Sequence, residues 1–268
     1  MKPRAIVLSG EGINCDEETM LAFRLAGAQS KRVHINDLIA EPKMLEGFHA
    51  LAIPGGFSFG DHLGAGKAFA NKLVHAVSNG ERLFDSIVQF IREGKPVIGI
   101  CNGFQILVKS GLLPALGGKY GEQQVTVFHN DSSRFEDRWV KTKVLKTPGI
   151  FTQGIESIEL PCRHGEGKFI APQKTMRELW AKKLVVIQYA DRAGNPTMAY
   201  PENPNGSMDA IAGICNEQGN VFGLMPHPEA FLFATNNPRW LRGKPAHWKG
   251  DGLKFFENAV TYIKENFG

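Results

Sequence analysis

Short apolar runs alternate with amphipathic stretches through the first hundred residues. Ala5–Leu8, Lys31–Ile35, Ala50–Ile53 and Val97–Ile100 read as strands. Asp16 is placed to cap a helix running to about Ala26, with Gly27 ending it. Helical spacing covers roughly Ala65–Val77 and Leu83–Glu93. Strands and helices in alternation predict an α/β fold with a mainly parallel central sheet flanked by helices. The texture then changes. Gln124–Phe128, Val140–Val144 and Leu184–Tyr189 read as strands with little helix between them. Ile211–Cys215 and Val221–Met225 flank the turn Asn216-Glu217-Gln218-Gly219-Asn220 and predict a hairpin. Leu253, Phe256, Val260 and Ile263 give the last segment, Asp251–Phe267, a helical face. Antiparallel strands are thus expected beside the parallel sheet. With no repeat and no low-complexity linker, residues 1–268 are expected to form a single domain.

In a parallel sheet, ligands bind beyond the carboxyl ends of the strands, and two loops leave predicted strand ends there. The first is Val97-Ile98-Gly99-Ile100-Cys101-Asn102-Gly103-Phe104-Gln105, a strand, a sharp turn and a helix start, with Cys101 at the turn between small residues. The same geometry exposes the serine of a nucleophile elbow. A thiol at a helix N-terminus is also expected to have a lowered pKa. The second loop is Pro54-Gly55-Gly56-Phe57-Ser58-Phe59-Gly60-Asp61, whose glycines allow backbone N–H groups close to a substrate. The N–H groups of Gly56 and of Asn102, the residue after the nucleophile, are the candidates for an oxyanion site.

A cysteine nucleophile needs a base and a group to orient it. Pro226-His227-Pro228-Glu229 follows an apolar strand and offers both, with His227 to take the thiol proton and Glu229 to hold the imidazole in one tautomer. Two other motifs carry less. Gly64-Ala65-Gly66-Lys67 follows a strand, but Asp61 stands where a phosphate loop needs its first glycine, and Ala68 where it needs Ser or Thr. His164-Gly165-Glu166-Gly167 holds two ligand-type side chains and is expected to shape a pocket, so no metal site is expected. Cys15, Cys162 and Cys215 are expected to be small core or near-surface residues.

Composition narrows the class without naming it. The chain is 43% hydrophobic and 22% charged, with a formal charge of +4 and no basic block interleaved with aromatics. Neither nucleic acid nor a membrane is an expected partner. The N-terminal apolar run is too short for a signal peptide. Four widely spaced cysteines without a C-x-x-C pair suit reduced thiols and a cytoplasmic location.

With Gly99-Ile100-Cys101-Asn102-Gly103-Phe104-Gln105 joined to Pro226-His227-Pro228-Glu229, the chain resembles class I (triad) glutamine amidotransferases. The likeness is strongest to the glutaminase subunits of purine biosynthesis. It rests also on Gly12-Ile13-Asn14-Cys15-Asp16, the Gly55–Asp61 loop, Gly111-Leu112-Leu113-Pro114, Asn130-Asp131-Ser132-Ser133-Arg134-Phe135, His164–Gly167 and Asn203-Pro204-Asn205-Gly206-Ser207 followed by Ile211–Asn216. The resemblance implies a flavodoxin-like class I glutaminase fold and a Cys101–His227–Glu229 triad that hydrolyses glutamine through a thioester. It also implies that Gly55, Phe57, Gln105, Ser133, Arg134 and Phe135 hold the glutamine. The ammonia would pass to a large ATP-dependent synthetase subunit, with or without a small bridging subunit, that amidates formylglycinamide ribonucleotide. ATP and magnesium belong to that partner, so no cofactor is expected on this chain. An amidotransferase for another acceptor, a stand-alone γ-glutamyl hydrolase and a catalytically idle binding subunit are the competing readings. Three features depart from the family pattern: Ala230 follows Glu229 where arginine is common, Gly64 stands where many have arginine, and Asn236–Gly250, with Trp240, His247 and Trp248, is long.

Overall fold

A computed structural model describes residues 1–242 and 248–268. The strands in chain order are β1 (Arg4–Ser9), β2 (Gln29–His34), β3 (Ala50–Ile53), β4 (Val77–Ser78), β5 (Glu81–Arg82), β6 (Val97–Ile100) and β7 (Thr126–His129). They continue with β8 (Glu136–Val144), β9 (Ser157–His164), β10 (Glu166–Ile170), β11 (Val185–Tyr189), β12 (Ile211–Cys215) and β13 (Val221–Leu224). The α-helices are α1 (Asp16–Leu25), α2 (Ile35–Ala40), α3 (Lys67–His75), α4 (Leu83–Arg92), α5 (Asn102–Lys109), α6 (Gln173–Ala181) and α7 (Leu253–Phe267).

Nine strands form one sheet in the order β2-β1-β3-β6-β13-β12-β11-β8-β9. The half from β2 to β13 is parallel, and the half from β13 to β9 is antiparallel. This is the mainly parallel α/β centre with added antiparallel strands that the sequence pattern predicts. The central strands β3, β6 and β13 are buried at every position, as strands covered on both faces must be. Helices supply the cover. Helix α4 turns Leu83, Phe84, Ile87, Val88, Phe90 and Ile91 inward, and α7 buries Phe255, Phe256, Ala259, Val260 and Ile263. The hydrophobic core is continuous across both halves of the sheet.

Several local expectations need correction. Asp16 is the first helical residue rather than the cap; Cys15 holds the cap position without a side-chain cap bond. Asp16, Glu17 and Glu18 instead fill the first turn, where the helix dipole favours negative charge. The strand expected at Lys31–Ile35 runs from Gln29 to His34, and Ile35 begins α2, with the His34 ring accepting from the Asn36 N–H at 3.2 Å. In the second half, α6 lies where little helix is expected, and β9 is a strand that the sequence pattern does not single out. Pro161 interrupts the strand pattern of β9, yet β9 is the sheet's edge, where a residue without an N–H is tolerated. No described helix is long and apolar enough to cross a membrane. Within Asn236–Gly250, Trp240 and Trp248 are both exposed, Trp248 packing on Phe233 with ring centroids 6.0 Å apart, whereas His247 lies outside the described residues.

Candidate active site

The site is built where two adjacent parallel strands end. Strand β6 pairs with β13 so that Ile100 lies beside Leu224. Cys101 therefore follows the end of one strand, and His227 follows three residues after the end of its neighbour. The Cys101 N–H donates to the Leu224 carbonyl at 2.8 Å. Cys101 has φ 51° and ψ −104°, a conformation that L-residues avoid, and α5 starts at the next residue. This is the strained turn of a nucleophile elbow. Its glycine neighbours are required by space. A Cβ on Gly99 would stand 2.5 Å from Leu107 Cδ1, and one on Gly103 would stand 1.8 Å from the Ile53 carbonyl oxygen.

His227 and Glu229 form a buried pair, Nδ1 to Oε1 at 2.6 Å, with both side chains almost wholly out of solvent. His227 Nε2 and Glu229 Oε2 have no hydrogen-bond partner. An imidazole held on one nitrogen and unpaired on the other is set up to accept a proton. The Gly55-Gly56 loop packs directly against it. A Cβ on Gly55 would lie 2.9 Å from His227 Cε1. Gly56, at φ 154°, is pressed so closely on the loop after β1 that a Cβ would lie 2.4 Å from the Gly12 carbonyl.

The edge strand β9 closes the site from the far side. Its Pro161 carbonyl accepts from the His227 N–H at 2.8 Å, and its Arg163 carbonyl accepts from the Cys101 thiol at 3.6 Å. One strand thus touches both the Cys101 sulfur and the His227 backbone. A buried polar network fixes it. His164 Nε2 lies 2.7 Å from Cys162 Sγ, its Nδ1 lies 3.1 Å from Asn130 Oδ1, and Asn205 Nδ2 bonds the Tyr189 hydroxyl at 2.9 Å. Gly167 leaves room for that ring, since a Cβ there would meet His164 Cε1 at 2.2 Å.

The charge state of Cys101 corrects the sequence expectation. The Cys101 thiol is pushed up, not lowered, because burial and then the neighbouring Cys162, Cys15 and Glu229 outweigh the Asn102 N–H. The resting sulfur is a thiol. Helix-terminus assistance, a fraction of a unit charge, is too weak to ionise a sulfur with only 5% of its residue surface exposed.

The other sequence candidates fall in two groups. Phe57 and Phe135 are exposed and face each other at 6.1 Å between ring centroids, so the loops carrying them meet. Ser133 adopts φ 54°, and the Arg134 carbonyl accepts from Asn130 Nδ2 at 2.9 Å, which ties this segment to the network beneath β9. Gln105 is buried and fully engaged, with Oε1 accepting from Asn102 Nδ2 at 2.9 Å and Nε2 donating to the Glu166 carbonyl at 2.5 Å. In this state it braces the elbow. The N-terminus of α3, where a phosphate loop would hold its anion, is occupied by Glu166 Oε2, which accepts from the Ala65 N–H at 3.1 Å.

Sequence reasoning missed Cys15. Its sulfur, a ring nitrogen of His227 and a carboxylate oxygen of Glu229 all lie within 4.8 Å of one another. The available signal was its place in the loop after β1, at the same carboxyl edge as the other two loops.

Comparison with known proteins agrees with this geometry. The CobB/CobQ-like glutamine amidotransferase domain family matches residues 2–263. The phosphoribosylformylglycinamidine synthase subunit PurQ of Methanococcus maripaludis is 43% identical over 273 residues, covering 98% of this chain and 98% of the relative. Its counterpart in Dehalococcoides mccartyi is 42% identical over 268 residues, covering 98% and 99%. Among solved structures, a chain of PurLQS from Thermotoga maritima superposes with a TM-score of 0.72 at 30% identity, covering 98% of this chain and 100% of that one. A glutamine amidotransferase from the same organism shares the fold, with a TM-score of 0.52 at 15% identity.

Proposed function

The chain belongs to the CobB/CobQ-like glutamine amidotransferases, and we propose that Cys101, His227 and Glu229 make it the glutaminase subunit of a phosphoribosylformylglycinamidine synthase. The observation that carries this reading is the elbow cysteine beside a His227–Glu229 pair whose free Nε2 is buried and unpaired. Glutamine enters over the sulfur from the side of Phe57 and Phe135. His227 Nε2 takes the Cys101 proton as the sulfur attacks the side-chain amide carbon. The N–H groups of Gly56 and Asn102 receive the developing oxyanion. Collapse returns the proton from His227 to the leaving nitrogen, ammonia departs, and a γ-glutamyl thioester remains on Cys101. Water activated by the same imidazole then releases glutamate and the thiol.

The starting thiol is raised, so attack requires proton transfer to His227 in the same event as substrate binding. That requirement suppresses reaction of the resting sulfur. Ammonia is consumed by a large synthetase subunit, in an assembly of the kind named PurLQS, which amidates formylglycinamide ribonucleotide with ATP. Four free cysteines suit a cytoplasmic setting. Glutaminase activity measured with and without the synthetase subunit tests the assignment. Activity that rises with the synthetase is expected. Full activity in isolation, unchanged by it, would instead identify a stand-alone γ-glutamyl hydrolase.

A further inference from the structure

We propose that Cys15, His227 and Glu229 form a site for a soft divalent cation, with Zn2+ the best match, whose binding switches off the catalytic imidazole. The three side chains are buried and supply sulfur, imidazole nitrogen and carboxylate oxygen within 4.8 Å of one another. That donor set suits zinc, whose bonds of about 2.0–2.3 Å require ligand atoms roughly 3.3–3.7 Å apart, so side-chain rotation of about 1 Å closes the site. An independent observation points to a ligand here. Glu229 Oε2 is a buried carboxylate oxygen with no partner, although its twin Oε1 is bonded to His227. The position of the sulfur is also informative. A Cβ on Gly55 would contact Cys15 Sγ at 3.2 Å, His227 Cε1 at 2.9 Å and His227 Nδ1 at 3.5 Å, so the thiol and the Cε1–Nδ1 edge of the ring border the same point.

A cation seated there takes the place of the proton shared by Nδ1 and Glu229. The displaced Nδ1 proton moves to Nε2, the imidazole stays neutral, and Nε2 no longer accepts from Cys101. Cys15 gives its proton to solvent as the S–Zn bond forms, so one proton is released per metal.

The test uses the full chain, Zn2+ and a competing chromogenic chelator, with Co2+ as a spectroscopic substitute. Wild type is expected to take one Zn2+ per chain and to show a sulfur-to-cobalt charge-transfer band. Cys15→Ser and Glu229→Gln should each weaken zinc binding by about tenfold or more, and Cys15→Ser should remove the band. Cys101→Ser should bind within about threefold of wild type and keep the band, a result that needs no Cys15 variant to fold. Failure of wild type to bind, equal binding by Cys15→Ser, or loss of binding in Cys101→Ser would overturn the proposal. None of these readouts uses glutaminase activity, so the site stands or falls apart from the functional assignment.

Discussion

His164 is positioned to make the protein sensitive to acid. Both ring nitrogens are committed, Nε2 to Cys162 Sγ and Nδ1 to Asn130 Oδ1, which also receives the Gly167 N–H. Burial, then the nearby His227, and last the Arg138 charge hold its pKa down at about 3. An unfolded histidine titrates near 6.5. Because the folded value is depressed, the stabilisation is complete above about pH 6.5, shrinks as the pH falls, and is gone near pH 3. The gap of about 3.5 pH units corresponds to roughly 5 kcal/mol in total, and at pH 5 about 2 kcal/mol has been lost. That is a large share of the stability of about 5–15 kcal/mol typical of a domain. Urea unfolding at pH 7.5 and pH 5.0 on wild type and His164→Gln measures it. The variant is neutral at both pH values, so its loss of stability on acidification should be smaller than wild type by about 2 kcal/mol. In wild type, the His164 Cε1 proton resonance should not titrate down to pH 4. Equal acid sensitivity of the two proteins, or a titration midpoint near 6.5, would refute the reasoning.

Further expectations come from the elbow and the loop beside it. Gly103→Ala drives a Cβ into the Ile53 carbonyl, so it should cost roughly 1–3 kcal/mol or more in a denaturant titration; unchanged stability would contradict the packing described. Asp61 is pushed up to about 6 by burial and then by Glu166, against Lys109, and its Oδ1 has no partner. A raised carboxyl stabilises fully below about pH 3.8 and loses that contribution as the pH climbs through 6. Asp61→Asn should therefore raise Tm at pH 7.5, with the gain vanishing below pH 4; a pH-independent change would count against it. Glu229→Ala, which frees His227 Nδ1, should lower kcat by about 10²–10⁴-fold with a smaller effect on KM; steady-state kinetics showing the reverse split would move Glu229 from orientation to substrate binding.

Much of this site is legible in the sequence because its key parts are local. Strand, turn and helix around Cys101 are contiguous, and a two-residue spacing suffices for Glu229 to reach His227. The Gly55-Gly56 loop is visible as a strand-end turn. Features made by long-range packing are hidden. Cys15 lies 86 residues before Cys101 and looks like any small core residue until the loop after β1 folds against Gly55. The role of β9 is hidden for another reason. It acts through the Pro161 and Arg163 carbonyl groups, and carbonyls carry no sequence signature. The Asn130–His164–Asn205 network joins three segments whose polar residues resemble loop residues one at a time. The protonation of Cys101 depends on burial by those same distant segments, so a helix-terminus argument confined to its neighbours has the wrong sign.

The central claim is that attack by Cys101 releases the glutamine amide nitrogen as ammonia for a synthetase. Cys101→Ala reconstituted with the synthetase subunit tests it most directly, with formylglycinamidine ribonucleotide formation measured from glutamine and, separately, from ammonium salts. Glutamine-dependent synthesis should fall by about 10⁴-fold or more, the scale of losing a covalent nucleophile, while ammonia-dependent synthesis continues at the wild-type rate. Retained use of glutamine, or equal loss with both nitrogen sources, would contradict the account.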